Sequence, residues 1–327
     1  MPKLKPLVAL IFSVAILTLT ACQNKPTYYL ISNNLKLPYW KTVDTGFHKA
    51  ATEYHVNALL RGPDNYDAQA ELAEFKKAAA SKPAGILISV ADAVTFRQAI
   101  TDAVQAGTPV ITVDSDAPTS ARLFFIGTNN TAAGHLGGQR LVEKLHGKGN
   151  IVFFSIPGQP NLDERLRGYK EVIGDHPQMK IVDVLDVKGD PGIAYDNARK
   201  YVEKKGPDKI DAFVSLESSS GPAIGEVLKR ENVTDRLIIA MDVGPETLDL
   251  IKSGVIDSTV SQKPFTMGWV GLAMLDAINH HRPDNFQSNY TVDSFARYAS
   301  FIDTGTALVT KDNVDVYLES QQKANSQ

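Results

Sequence analysis

Residues 85–114 have the sequence GILISVADAVTFRQAITDAVQAGTPVITVD, whose apolar pattern indicates the class of fold. Gly85–Ser89 and Val110–Val113 are short and almost wholly apolar, and Ala93–Ala106 between them has the apolar spacing of a helix. Strands that are apolar on both faces are typical of a parallel sheet covered by helices. The stretch therefore predicts a strand–helix–strand unit of a parallel sheet.

The same alternation extends in both directions, from Tyr28 to Asp303. About ten strand-like runs alternate with helical segments, and the last two are predicted near Tyr290–Val292 and at Phe301–Asp303. Ten strands are too many for one open sheet of this kind, and no long Gly/Ser-rich or Pro-rich linker divides the chain. We therefore expect an α/β protein with two doubly wound parallel-sheet domains joined by short hinge connections.

The first residues have the pattern of an export signal. Lys3 and Lys5 precede an apolar run over 7–19, which ends in Leu19-Thr20-Ala21-Cys22. These four residues resemble the lipobox of bacterial lipoproteins, which implies cleavage before Cys22 and acylation of its thiol. Residues 1–21 are therefore predicted to be a lipoprotein signal peptide and 22–27 a tether. An ordinary secretory signal with an incidental cysteine is the alternative.

Composition narrows the class of function. The 327 residues are 43% hydrophobic and 22% charged, which is typical of a globular protein, and the formal net charge of -3 gives no basic surface for nucleic acid. The single cysteine excludes an internal disulfide. The sequence contains no nucleophile elbow, phosphate-binding loop, dinucleotide fingerprint or zinc-protease motif, so we expect neither an enzyme nor a cofactor, and the histidines have no metal-site spacing.

Candidate binding residues follow the predicted strands, because ligands of open α/β sheets bind at the carboxyl ends of the strands. Carboxylates accept hydrogen bonds from hydroxyl groups, arginine donates in a fork, amides do both, and aromatic rings pack on the C–H face of a sugar. The set therefore matches a sugar or polyol. The predicted ligand-binding residues are Tyr39, Trp40, Asp114, Arg165, Glu217, Asp242 and Gln262.

Some of these side chains have a second interpretation. Glu217 could equally place its charge at a helix N-terminus, because Ser220 and Pro222 are typical of a helix start. Asn129 and Asn130 precede a predicted helix and are expected to cap it. Asn34 and Asn161 also follow strands but were weaker candidates.

Several short motifs, in order, carry a resemblance to a known family. The sequence resembles the ribose-binding-protein-like family of periplasmic substrate-binding proteins from about Tyr28 to Leu318. The motifs are Pro38-Tyr39-Trp40 with Gly46-Phe47, residues 107–114, Phe125-Ile126-Gly127-Thr128-Asn129-Asn130 with Ala133-Gly134, Arg165-Leu166-Arg167-Gly168-Tyr169, Ala240-Met241-Asp242, and Val260-Ser261-Gln262-Lys263-Pro264 with Met267-Gly268.

The resemblance implies a periplasmic binding protein of type I. Its N-terminal domain would comprise 28–128 plus 263–293 and its C-terminal domain 129–262 plus 294–327, with the hinge near Thr128, Gln262 and 290–293. It implies that Tyr39 and Trp40 stack on the sugar, that Asp114 and Asp242 hold hydroxyl groups, and that Arg165 and Gln262 are binding residues. The sequence departs from the family pattern at Leu37, at Ser115 and in the loop 217–220. It also departs near Gly189, where the family commonly has an aromatic residue.

The expected function is that of the extracytoplasmic substrate-binding component of an ABC importer, which captures a monosaccharide or polyol by hinge closure. The expected partners are the ligand and the permease subunits, with membrane attachment only through Cys22, and we expect a monomer. The location would be the periplasm or the outer face of the cytoplasmic membrane. The alternative is a receptor that presents its ligand to a sensor kinase.

Overall fold

The computed structural model describes residues 25–282, 294–296 and 298–325, and these form two six-stranded sheets. The predicted signal sequence, Cys22 and the strand predicted near 290–292 lie outside the described residues. In the part of the chain that the structure describes, no helix combines the length and the hydropathy that a bilayer span requires.

The first sheet and its helices form the N-terminal domain. Its elements are β1 (Thr27–Ile31), α1 (Pro38–Tyr54), β2 (Asn57–Arg61), α2 (Ala68–Ala80), β3 (Gly85–Ile88), α3 (Ala93–Gln105), β4 (Val110–Val113) and β5 (Phe125–Gly127), joined later in the chain by α9 (Pro264–His280) and β11 (Phe301–Asp303).

The second sheet and its helices form the C-terminal domain. Its elements are α4 (Asn130–Leu145), β6 (Lys148–Ser155), α5 (Pro160–Gly174), β7 (Gln178–Asp186), α6 (Pro191–Val202), a short 3-10 helix (Gly206–Asp208), β8 (Ala212–Ser215), α7 (Ser220–Arg230), β9 (Leu237–Met241), α8 (Pro245–Ser253), β10 (Ser258–Ser261), β12 (Ala307–Thr310) and α10 (Val314–Asn325).

The two sheets have the same topology. The strand orders are β2-β1-β3-β4-β5-β11 and β7-β6-β8-β9-β10-β12. All neighbouring strands are parallel except β12, which is antiparallel to β10. This is the doubly wound order, and each sheet has its own buried apolar core. The predicted fold class is confirmed.

Local sequence explains where the helices begin. Asp67, Asp92, Asn129 and Asp190 accept hydrogen bonds from the first backbone N–H groups of α2, α3, α4 and α6. Proline lies in the first turn of α1, α5, α8 and α9, where the missing N–H costs nothing. The predicted capping role of Asn129 is thereby confirmed.

Among the described residues, three connections join the two sheets. The chain crosses at Thr128 and Gln262, as predicted, and a third time between Asp303 and Ala307. The third crossing was expected at 290–293, with all of 294–327 in the C-terminal domain. That assignment is wrong for β11, because Phe301–Asp303 pairs with Phe125–Gly127 in the first sheet.

Pairs of glycines set how closely helices pack in each domain. A Cβ atom on Gly168 of α5 would overlap the carbonyl oxygen of Thr131 and lie 3.0 Å from the Cα of Gly134 in α4. In the N-terminal domain Gly46 of α1 and Gly268 of α9 also have no room for a Cβ against the partner backbone. The glycines of α4 and α5 therefore serve close packing between these helices.

This crossing predicts a strong effect of a single methyl group. Gly168→Ala should lower the free energy of unfolding by about 3 kcal/mol, because the backbone of α4 cannot move away as a flexible side chain would. Gly174→Ala, at the end of the same helix, meets nothing within 4 Å and should leave stability unchanged or slightly higher. Urea unfolding followed by circular dichroism measures both variants, and equal stability of the two would contradict the packing argument.

Candidate ligand-binding site

A cavity lies between the two domains at the carboxyl ends of the strands. The space between its lining atoms, including the part open to solvent, is about 480 Å³. The residues that line it are Asn33, Asn34, Leu37, Tyr39, Trp40, Tyr66 and Asp114 from the N-terminal domain and Ile156, Gln159, Asn161, Leu162, Arg165, Gly189, Glu217, Ser218, Asp242 and Gln262 from the remainder. All seven predicted ligand-binding residues lie on this cavity.

Two aspartates occupy corresponding positions in the two domains. Asp114 follows β4 and Asp242 follows β9, and both have left-handed backbone conformations, with φ of 62° and 69°. Non-glycine residues rarely adopt this conformation, although Asp and Asn tolerate it best. Local sequence patterns do not reveal this backbone conformation. Strained conformations of this kind are concentrated at ligand-binding and active sites.

Asp114 is the centre of a hydrogen-bond network that reaches across the cleft. It accepts hydrogen bonds from the Tyr39 hydroxyl (2.9 Å), the Ser89 hydroxyl (3.2 Å) and the Asn161 side-chain amide (3.1 Å). Burial raises the pKa of Asp114, and the nearby charge of Arg165 and these hydrogen bonds oppose that rise. Because Asn161 belongs to the C-terminal domain, this aspartate holds the two domains together directly.

Asp242 is linked to the hinge. Gln262 donates to Asp242 Oδ1 (2.9 Å) through Nε2 and accepts from the Thr128 hydroxyl (2.8 Å) through Oε1. Thr128 and Gln262 are themselves the first two crossing points between the domains. A ligand that contacts Asp242 would therefore act on residues that carry the hinge.

Arg165 is the buried cation of the site, only 2% exposed. Its guanidinium donates to the Leu216 carbonyl, to Asn130 Oδ1 (2.7 Å) and to Gln262 Oε1 (3.5 Å). Its Nε has no hydrogen-bond partner among the described residues. A buried donor without a partner is costly and uncommon in folded proteins.

The two aromatic residues of the first loop have different surroundings. The rings of Tyr39 and Trp40 meet edge to face, with centroids 5.4 Å apart. The Trp40 indole donates to Asn33 Oδ1 (3.1 Å), and its ring belongs to the buried core of the N-terminal domain. Burial raises the pKa of Tyr39, and the charges of Asp114 and Asp242 act in the same direction, so its hydroxyl stays neutral. Each ring thus combines a packing role with a place on the cavity.

Glu217 lines the cavity, but its carboxylate is engaged by the start of α7. One oxygen accepts from the backbone N–H and the hydroxyl of Ser219, both at 2.6 Å, and the other accepts from the same groups of Ser220. This is the helix N-terminal role considered from the sequence. Contact between Glu217 and a ligand stays a prediction.

Asn130 does not have the predicted capping role. Its side-chain oxygen accepts from Arg165 instead, and the residue is 2% exposed. The difference arises because Asn129 already caps α4, which leaves the side chain of the next residue free to face the neighbouring helix α5.

Tyr66 and Asn161 are cavity residues that the sequence did not select. Tyr66 lies in the loop after β2, and this position after a strand is the signal by which the sequence indicates it. Asn161 follows β6 and was a weaker candidate, yet its amide contacts Asp114 in the other domain. Its importance depends on a residue 47 positions away, which local sequence does not reveal.

Comparison with known proteins identifies the family. The family described as "Periplasmic binding protein domain" matches residues 28–281. The chain belongs to the periplasmic binding protein family. The resemblance to the ribose-binding-protein-like members is thereby confirmed.

Individual members of the periplasmic binding protein family cover nearly the whole chain. The arabinose-binding protein AraP from Geobacillus stearothermophilus is 30% identical, with a TM-score of 0.73 over 90% of this chain and 99% of that one. A sugar ABC transporter sugar-binding protein from Bacillus halodurans is 32% identical, with a TM-score of 0.77 over 89% and 99%. The ribose import binding protein RbsB of Escherichia coli K12 is 24% identical over 89% of this chain and 97% of its own length.

The charge at Asp242 predicts a specific pH dependence of stability. Burial raises its pKa to about 6, from 3.8, with smaller contributions from Asp114 and Glu217 that Arg165 and Gln262 oppose. The folded state thus binds this proton more tightly than the unfolded state. Ionisation of Asp242 therefore lowers the free energy of unfolding above about pH 6. Acidification protonates the carboxylate and restores that free energy. Between pH 7.5 and 5.0 Asp242 should add about 1 kcal/mol to the free energy of unfolding.

The test compares wild-type protein with Asp242→Asn, since asparagine keeps the volume and tolerates the same backbone conformation. Both are freed of ligand and unfolded in urea at the two pH values. The wild type should gain about 1 kcal/mol more than the variant on acidification. Identical gains in the two proteins would show that Asp242 is not the titrating group.

Proposed function

We propose that this protein captures a monosaccharide or related polyol in the cleft between its domains, as the substrate-binding component of an ABC importer. The observation that carries the proposal is the convergence of Asp114, Asp242 and Arg165 on one cavity between two domains, where Asp114 and Arg165 are buried and Asp242 is partly buried. Buried acceptors and donors of this kind match the many hydroxyl groups of a sugar. The names of the similar proteins, which bind arabinose and ribose, agree with it.

Capture works by closure of the two domains on the ligand. Asp114 and Tyr39 belong to the N-terminal domain, whereas Arg165 and Asp242 belong to the C-terminal domain, so one sugar ring contacts both sides. A ligand that bonds to both domains binds the closed arrangement more tightly than an open one and shifts the population towards it. Thr128 and Gln262 carry the motion because they lie where the chain crosses.

The wider role includes a membrane partner and an anchor. The signal pattern that ends at Cys22 supports an acylated N-terminus, with the tether 22–27 leading to β1. The closed protein then delivers its ligand to permease subunits, outside the cytoplasmic membrane.

Binding should be found by calorimetry against D-ribose, D-xylose, L-arabinose, D-galactose, D-glucose and xylitol. For the sugar that binds, Asp114→Asn should raise the Kd roughly tenfold to hundredfold, because the buried carboxylate loses an acceptor for a ligand hydroxyl. Asp102→Asn is the matched control, since Asp102 is exposed on α3 and should have no effect.

Two outcomes would contradict the proposal. If only a purine or a peptide binds, the substrate class is wrong. If Asp114→Asn and Asp102→Asn bind the same sugar equally well, the cavity described here is not where the sugar binds.

The anchor is tested separately in cells. With Cys22→Ser the thiol that would carry the lipid is lost, and the protein should move from the membrane fraction to the soluble extracytoplasmic fraction. A variant with Ser13→Ala, inside the apolar run of the signal, is the control and should stay with the membrane. Membrane fractionation and immunoblotting measure both, and a Cys22→Ser protein that still sediments with membranes would disprove acylation at this residue.

A further inference from the structure

Tyr66 is the aromatic residue of the N-terminal domain that reaches into the C-terminal domain. It lies in the loop between β2 and α2, lines the cavity, and packs against the hydrophobic core of the opposite domain. The other two cavity aromatics of the N-terminal domain, Tyr39 and Trp40, pack on the core of their own domain. Tyr66 therefore differs from Tyr39 and Trp40, because its ring contacts the opposite domain.

Tyr66 lies beside residue 189, which has no side chain. Gly189 has φ of 67°, and a Cβ atom built on it would lie 3.7 Å from the Cβ of Tyr66 and 3.6 Å from Asn34 Nδ2. The same atom would lie 3.7 Å from Ile156 Cδ1 in the C-terminal domain. A longer side chain at this position would need the room that the Tyr66 side chain and Asn34 now fill.

The hydroxyl end of Tyr66 is held by one peptide group. The Tyr66 hydroxyl donates to the carbonyl oxygen of Ala91 (2.9 Å), and the Ala91 N–H donates to Glu71 Oε2 (3.1 Å). Glu71 lies on α2 and is completely buried, with no hydrogen-bond partner for Oε1 among the described residues. Burial raises the pKa of Glu71 well above its usual range. A buried carboxyl that serves one loop amide is costly, which suggests that the position of this loop matters.

We propose that Tyr66 closes the cleft against Gly189 and limits the ligand to a single sugar ring, and that Glu71 positions it through Ala91. This inference rests on the proposed function in so far as the ligand is a sugar. Tyr66 is thus a specificity-determining residue, and Glu71 is a positioning residue that acts through the loop and touches no ligand.

The consequence for binding follows from the area of the ring. With Tyr66→Ala the cavity loses an apolar wall and gains an opening, so a bound sugar should dissociate roughly tenfold to hundredfold faster. The opening should also admit a second sugar unit. Tyr66→Phe keeps the ring and loses only the hydrogen bond to Ala91, so its effect should be a few-fold at most.

The binding experiment uses the full chain and compares wild type, Tyr66→Ala and a control. The probes are the six sugars and polyols named above, together with xylobiose, maltose and lactose, and Tyr54→Ala is the control because Tyr54 lies 41% exposed on α1, away from the cavity. Stopped-flow fluorescence gives the dissociation rate, since Trp40 borders the site. We expect the wild type and the control to bind a single-ring probe and no disaccharide. We expect Tyr66→Ala to release the same probe faster and also to bind a disaccharide that contains this sugar.

The role of Glu71 is tested by a double-mutant cycle. Glu71→Ala should weaken binding about fivefold in the wild-type background and have no further effect in the Tyr66→Ala background, because Glu71 acts only through the contact between Ala91 and Tyr66, which Tyr66→Ala has already removed. Glu71→Gln keeps an acceptor for the Ala91 amide and should restore near wild-type affinity. An equal effect of Glu71→Ala in both backgrounds would reveal a merely structural role and overturn this assignment.

A measurement that needs no sugar separates this inference from the proposed function. Tyr66→Ala removes a contact between the domains, so small-angle scattering without added sugar should give a larger radius of gyration than for wild type or Tyr54→Ala. If wild type binds none of the sugars and Tyr66→Ala still expands, the proposed function fails and the closure role of Tyr66 stands. If Tyr66→Ala matches Tyr54→Ala in scattering, dissociation rate and ligand length, the role of Tyr66 is disproved.

Discussion

Two carboxylates that face one desolvated cavity require a cation beside them, and Arg165 is that cation. Its charge opposes the rise in pKa that burial imposes on Asp114 and Asp242. The guanidinium is itself held by hydrogen bonds to Leu216, Asn130 and Gln262, so its position does not depend on hydrogen bonds to the two aspartates. Arg165 projects from α5, whose position follows from the glycine crossing with α4. The electrostatics of the site thus depend on a helix contact that only glycine permits.

The two domains repeat one plan and use it differently. Asp114 and Asp242 follow corresponding strands, in the same strained backbone conformation. Asp114 is bound by Tyr39 and by Asn161 from across the cleft, whereas Asp242 is bound by Gln262 at a crossing point. Asp114 therefore forms a hydrogen bond across the cleft, and Asp242 forms one to a residue where the chain crosses between the domains. A ligand held by both would join closure and binding in a single event.

Much of the site could be predicted because an open sheet presents the carboxyl ends of its strands at one edge. By that rule Asp114, Arg165 and Asp242 are expected on one cavity, and all three line it. The rule could not show that Tyr66 fills the space beside Gly189, since the two residues lie in different domains. At Gly189, where the family pattern commonly has an aromatic residue, the Tyr66 side chain lies nearby from the opposite domain.

The sequence by itself determined the alternation of strands and helices, the doubly wound class of both domains and the edge at which polar residues gather, because these depend on local apolar spacing. Only the tertiary structure decided that β11 joins the first sheet, that Glu217 serves the start of α7, and that Asn130 supports Arg165. The raised pKa of Asp242 was likewise decided only by the tertiary structure. Burial and contacts across a cleft depend on how distant segments pack together, and no local pattern in the chain encodes those distances.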